Sequence, residues 1–137
     1  MRVYVDSSAL LKRVFAEAES RALISTLRDF QQADTALVTS SLAWVEISRA
    51  IRAYANTEID VEVDKLVEVS LSGVLEKPIT SEVIALARRL NPAVLRSLDA
   101  IHLATALLVD ADVILAYDLR LIEAAAEHKI RTLSPTH

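Results

Sequence analysis

Four carboxylates far apart in the chain, Asp6, Glu46, Asp99 and Asp118, are the residues whose placement best suits chemistry. Asp6 follows the β-branched and aromatic run Val3-Tyr4-Val5, and Asp118 follows Val113-Ile114-Leu115-Ala116, so both stand where a strand stops. Asp99 sits near the start of the segment Leu98 to Val109, which is apolar almost all round except for Asp99, His102 and Thr105 at three-residue spacing. A helix of that pattern is buried, and an acid on it must be paired or otherwise stabilised. Glu46 lies at the edge of the apolar stripe Ala43, Ile47, Ala50 and Tyr54 on a helix from Leu42 to Ala55, where an inward-facing acid needs a partner.

Each acid also has a plainer explanation. Asp6 and Asp118 suit helix N-caps, Asp99 suits the positive end of a helix, Glu46 can pair with Arg49, and His102 can be a satisfied core histidine. Taken together they say more. If the strand ends share one sheet edge, several carboxylates converge, raise one another's pKa and call for a divalent cation. Hard oxygen donors, with no cysteine and no histidine pair, favour Mg2+ or Mn2+ over zinc, and the chemistry implied is metal-assisted phosphodiester hydrolysis. Lys12, Arg13, Arg49 and Arg96, with Arg52 and Arg120, lie within a few residues or turns of the acids and are candidate substrate contacts; the plainer reading is a solvated helix face.

The elements that must position these residues alternate between strand and helix. Val3–Val5 ends at the cap signal Asp6-Ser7-Ser8, and helical patterns run from about Ala9 to Gln32 with a break near Ala16 to Ser20. Ala36–Thr39 reads as a second strand feeding a helix to Ala55; helical spacing returns between Ile59 and Ser72, and Val74-Leu75 reads as a short third strand. Thr80 or Ser81 caps a helix through Leu90, stopped by Asn91-Pro92. Ser97 opens a helix to about Val109, Val113–Ala116 is a buried strand, Asp118 opens a helix to Glu127, and Ile130–Leu133 is the last strand. This order predicts one domain over residues 1–137, of α/β class, with a mostly parallel sheet covered by helices on both faces. In such sheets ligands gather beyond the carboxyl ends of the strands.

Composition narrows the classes further. A chain of 137 residues that is 53% hydrophobic but 4% aromatic builds its core from aliphatic side chains, and a net charge of −4 argues against coating nucleic acid through bulk positive charge. A single glycine, Gly73, excludes glycine-rich phosphate loops and dinucleotide fingerprints. The absence of cysteine removes disulfides and thiolate chemistry and suits a reducing cytoplasm. No apolar run approaches the ~18 residues of a membrane span, and the first residues do not form a signal peptide, so a cytoplasmic protein is expected.

The run Asp6-Ser7-Ser8-Ala9-Leu10-Leu11-Lys12, the pair Val45-Glu46, the run Leu98-Asp99-Ala100-Ile101-His102-Leu103-Ala104-Thr105-Ala106 and the run Tyr117-Asp118-Leu119-Arg120-Leu121 resemble the PIN-domain family. More narrowly, they are similar to the VapC-type toxins of bacterial toxin–antitoxin pairs, over essentially the whole chain. The resemblance implies a three-layer α/β/α fold around a five-stranded parallel sheet, a homodimer, a Mg2+- or Mn2+-dependent endoribonuclease acting on RNA, and a cognate antitoxin bound over the active site. It also implies that Asp6, Glu46, Asp99 and Asp118 are the metal-site acids, with Asp6 and Asp99 the direct ligands and Ser8 the small polar residue beside the first acid. Ala116 departs from the pattern, because many relatives carry Thr or Ser there; Asp118 is then expected to act through water.

A receiver-like domain would need a phosphoacceptor acid after its middle strand, where this chain has Thr39-Ser40 and Lys77-Pro78. A DNA nuclease of similar chemistry would need substrate-gripping elements for which the chain has little room. The remaining alternative is a degenerate PIN-like scaffold used for dimerisation or partner binding, which has no need to keep all four acids.

Overall fold

In the computed structural model, which describes residues 1–55 and 58–136, the first strand, β1 (Arg2–Val5), is buried on both faces at Val3, Tyr4 and Val5. A strand of this kind needs helices above and below it. On one side Val3 and Val5, with Val113 and Leu115, pack against Leu10, Leu23, Ile47 and Val67. On the other, Tyr4, Ile114 and Ala116 pack against Leu103, Ala106, Leu121 and Ala124. Side chains alternate across a pleated strand, so neighbouring residues build two cores and the sheet becomes the middle of three layers.

After β1 come α1 (Ser7–Leu10), a 3-10 turn at Leu11–Arg13, α2 (Ser20–Gln32), β2 (Ala36–Ser40), α3 (Leu42–Tyr54) and α4 (Asp60–Ser70). Then follow β3 (Leu75–Lys77), α5 (Ser81–Ala87), α6 (Ser97–Leu108), β4 (Val113–Leu115), α7 (Leu119–Glu127) and β5 (Arg131–Leu133). Among the described residues the strands form one five-stranded, all-parallel sheet in the order β3-β2-β1-β4-β5, with Val3 opposite both Leu37 and Val113. The chain winds outward from β1 to β3 and then crosses back to β4. The winding therefore reverses between β1 and β4, where parallel sheets open a crevice beyond their carboxyl ends.

Several boundaries differ from expectation. Helix α5 stops at Ala87, short of Leu90, because the chain turns there and Leu90 packs onto the second core. Strand β3 begins at Leu75 and runs to Lys77, while Val74 packs against the first core. The buried stripe of α3 runs through Ala43, Ile47 and Ile51, and this progression turns Tyr54 outward, 81% exposed, where the sequence pattern had placed it on the stripe. Three helices end in a left-handed residue one position past the C-cap, at Asp34, Asp110 and Lys129 (φ 55, 54 and 62), in a chain whose single glycine is used before β3. Among the described residues no helix is long and apolar enough to cross a membrane.

Candidate active site

Strands β1 and β4 deliver two of the acids to the crevice. Asp6 is the N-cap of α1, and its Oδ2 accepts hydrogen bonds from the Ser8 amide at 3.2 Å and the Ser8 hydroxyl at 2.6 Å. The same hydroxyl accepts from the Tyr117 amide at 3.0 Å, and the Asp6 amide donates to Leu115 O at 2.9 Å. Ser8 thus ties the loop after β1 to the loop after β4. Asp118 caps α7, accepting from the Arg120 amide at 2.9 Å. Both acids are helix caps, as the plainer reading had it.

Asp99 lies in the first turn of α6, half-buried, and among the described residues no hydrogen bond reaches its carboxylate. Its carboxyl is pushed up to about 6 by burial first and then by the charges of Asp118, Asp6 and Glu46, against a partial offset from His102. Asp99 therefore lies within the electrostatic reach of the other three acids.

Glu46 turns to Ser7 and His102, not to solvent. Its Oε1 accepts from the Ser7 hydroxyl at 2.7 Å and from His102 Nε2 at 2.5 Å. His102 is 1% exposed, with Nε2 also 3.5 Å from Asp6 Oδ1 and Nδ1 2.6 Å from the Tyr4 hydroxyl, which in turn accepts from the Ser40 amide at 3.1 Å. Burial acts to lower the His102 pKa, but Asp6 and Glu46 carry it above its ordinary value. Burial acts to raise Glu46, but the hydrogen bond and charge of His102, with Ser7, hold it below the usual carboxylate range. Tyr4 is raised well above an ordinary phenol by burial and by Asp6. The reading of His102 as a satisfied core histidine describes its burial but not its partner, which is one of the four acids.

Glu46 is thus held by Ser7 and His102, while Asp99 feels the charges of the other acids. Among the described residues no three Asp, Glu, His or Cys side chains stand grouped so as to hold a metal ion. The basic residues divide. Arg13 donates to the Ser70 and Ser72 carbonyls at 2.9 and 2.7 Å and pins α4 to the 3-10 turn. Lys12 is buried, paired with Glu19 at 3.0 Å and Glu17 at 3.3 Å, and lies 4.6 Å from the centre of the Tyr117 ring. Arg49 and Arg96 are exposed. Sequence reasoning did not find Ser7, Tyr4 or the link from His102 to Glu46; the polar stripe Asp99-His102-Thr105 was the signal that pointed to the right helix face.

Comparison with known proteins places the chain as a whole. The family model described as PIN domain matches residues 3–127. Ribonuclease VapC47 and Ribonuclease VapC35 of Mycobacterium tuberculosis are each 36% identical to this chain, with 97% of the chain and 96% of either relative covered. Among solved structures, VapBC2 from Rickettsia felis bound to a DNA fragment from its promoter superposes with a TM-score of 0.74 at 8% identity, covering 97% of this chain and 98% of the other. A toxin-antitoxin complex from Klebsiella pneumoniae superposes with a TM-score of 0.66 at 17% identity, covering 98% of each chain. These two likenesses concern the fold alone, whereas the match over residues 3–127 and the 36% identities place the sequence itself: the chain belongs to the PIN-domain family, among its VapC-type members.

Proposed function

We propose that this protein is a divalent-metal-dependent endoribonuclease, the toxin of a toxin–antitoxin pair, with Asp6, Glu46, Asp99 and Asp118 as its active-site acids. The observation that carries this reading is Asp99, a half-buried carboxyl without a hydrogen bond among the described residues and raised to about 6 partly by the other three acids. A fold keeps such an uncompensated group where a ligand will compensate it. The donor set fits a hard dication on its chemistry, since it offers carboxylate oxygens and no thiolate. Asp6 and Asp99 would hold Mg2+ or Mn2+ directly, with Glu46 and Asp118 completing its surroundings; when bound, the ion lowers the pKa of water and neutralises charge developing on the phosphodiester.

The chain's own residues set the stage for this. Ser8 fixes the Asp6 carboxylate and locks the two central loops together, while Ser7 and His102 hold Glu46 ionised beneath the crevice. The ribonuclease names of the relatives support an RNA substrate, and the toxin–antitoxin neighbours support a cognate antitoxin partner. A homodimer and a cytoplasmic setting complete the proposal.

The test is cleavage of single-stranded RNA by purified protein in Mg2+ or Mn2+ and in EDTA, beside Asp99→Asn. Cleavage by the parent that is lost in EDTA and in the variant is expected; equal cleavage by Asp99→Asn would refute the assignment. One observation favours the degenerate-scaffold alternative, namely the engagement of Glu46 by Ser7 and His102. That alternative predicts dimerisation and partner binding without metal-stimulated cleavage.

A further inference from the structure

We infer that the cavity between the 3-10 turn, the end of α3 and the loop before α7 is a nucleobase subsite, holding one unpaired base of an RNA by stacking beside the carboxylates. The cavity measures about 550 Å³, within the range of small-ligand sites, and its walls include Ser8, Lys12, Phe15, Tyr54, Tyr117 and Asp118. Asp118 is part of its wall, and Ser8, also in the wall, holds Asp6, so the cavity adjoins two of the four acids.

Its aromatic lining is the main argument. The chain has one Trp, three Tyr and two Phe, and Phe15, Tyr54 and Tyr117 all line this one cavity. Phe15 and Tyr54 meet edge to face with centroids 6.4 Å apart, which leaves ring faces available for a third planar group. Tyr54 is 81% exposed at the end of α3, and among the described residues its one ring contact is with Phe15. Tyr117 is fixed at its far end, where its hydroxyl donates to Pro135 O at 2.6 Å, and Lys12 stands over its ring. Rigid rings with a cation alongside are the platform on which single-stranded nucleic acids stack their bases. Lys12 is already neutralised by Glu17 and Glu19, so the cavity suits an uncharged planar base better than a phosphate.

This assignment rests on the ribonuclease reading and adds to it a place where one base beside the cut is held by stacking on Phe15, Tyr54 and Tyr117. The experiment compares parent, Tyr54→Ala and Tyr54→Phe on short oligoribonucleotides that carry one abasic nucleotide at successive positions. At one position beside the cleaved bond, the abasic substitution is expected to lower the parent's kcat/KM by about 5- to 150-fold. Tyr54→Ala is expected to lower cleavage of intact RNA by a similar factor and to be indifferent to the abasic position; Tyr54→Phe restores parent behaviour. As a readout apart from cleavage, fluorescence anisotropy of a labelled hexaribonucleotide on Asp99→Asn should show the same loss of affinity when Tyr54→Ala is added.

A parent enzyme that cleaves RNA with a flat abasic scan, or a Tyr54→Ala variant that matches it, overturns the subsite and leaves the ribonuclease reading standing. A parent that cleaves no RNA in Mg2+ or Mn2+ removes both. If Tyr54→Ala releases a co-purifying antitoxin, or splits a dimer, while binding the hexaribonucleotide as before, the cavity belongs to a protein contact and the inference is wrong.

Discussion

Replacing Asp99 by Asn should make the protein more stable, and the gain should depend on pH in a way that identifies its cause. In the unfolded chain this carboxyl ionises near its ordinary 3.8, whereas in the fold it is pushed up to about 6 by burial and by Asp118, Asp6 and Glu46. Between those values the unfolded state gives up the proton first, so parent stability falls as pH rises through the interval, and the deficit is complete above about 6. For a fully shielded group the rise would be worth ~3 kcal/mol. Asp99 is only half-buried, and screening by solvent, together with its favourable place in the first turn of α6, leaves ~1 kcal/mol.

For a chain of 137 residues, ~1 kcal/mol corresponds to about 3–5 °C in Tm. Differential scanning calorimetry in EDTA at low salt should therefore find parent and Asp99→Asn equal near pH 4, with the variant higher by that amount above pH 7. Adding Mn2+ should reverse the order, because binding to the folded state alone stabilises by ~2.7 kcal/mol at a hundredfold excess over Kd and the variant lacks one of the two proposed direct ligands. Equal Tm values across the whole pH range would show that the neighbouring acids do not oppose this charge, and an equal rise with Mn2+ in both proteins would remove Asp99 from the metal site.

Other perturbations separate structure from function. His102→Ala should cost ~3 kcal/mol in urea unfolding, since it strips the buried partner from Glu46 and from the Tyr4 hydroxyl. The raised pKa of His102 means that its contribution is full below about 6.5 and fades as pH climbs through the folded value, so the cost should be larger at pH 6 than at pH 9. Arg13→Ala should lower stability by ~1.5–3 kcal/mol through its two carbonyl contacts while leaving the anisotropy-measured RNA affinity within about twofold of the parent. Lys129→Gly should gain ~0.5–1 kcal/mol in the same unfolding assay, because a left-handed backbone costs a side chain that glycine does not carry.

The architecture was readable because its strands are buried on both faces. Val3-Tyr4-Val5 and Val113-Ile114-Leu115 are unbroken apolar runs, and their position before capping acids fixed both element type and direction. What resisted reading were choices made by packing. Nothing in Arg88-Arg89-Leu90 forbids helix, yet the turn at Ala87 is the one that brings Leu90 onto the second core. Ala50 and Tyr54 fit an apolar helical stripe as well as Ile51 does, and only the position of the sheet decides that Ile51 goes in and Tyr54 stays out. That second outcome matters, since the outward ring is the one that meets Phe15.

The candidate site was legible where chemistry coincides with topology and illegible where it depends on a distant partner. Asp6 and Asp118 are acids immediately beyond strands flanking a reversal of winding, which sequence order alone can suggest. Nothing local could say that His102 reaches across 56 residues to Glu46, or that Ser7, one position from the noted Ser8, would complete the contact. Yet that buried link explains why the acids are unequal. His102 lies within 3.5 Å of both Asp6 and Glu46 and so offsets charge on that side, leaving Asp99 as the carboxyl with the least compensation of its own. On the proposed reading a cation would gain most by approaching Asp99, the carboxyl raised by the other three acids, while the His102 imidazole helps the fold tolerate their charge.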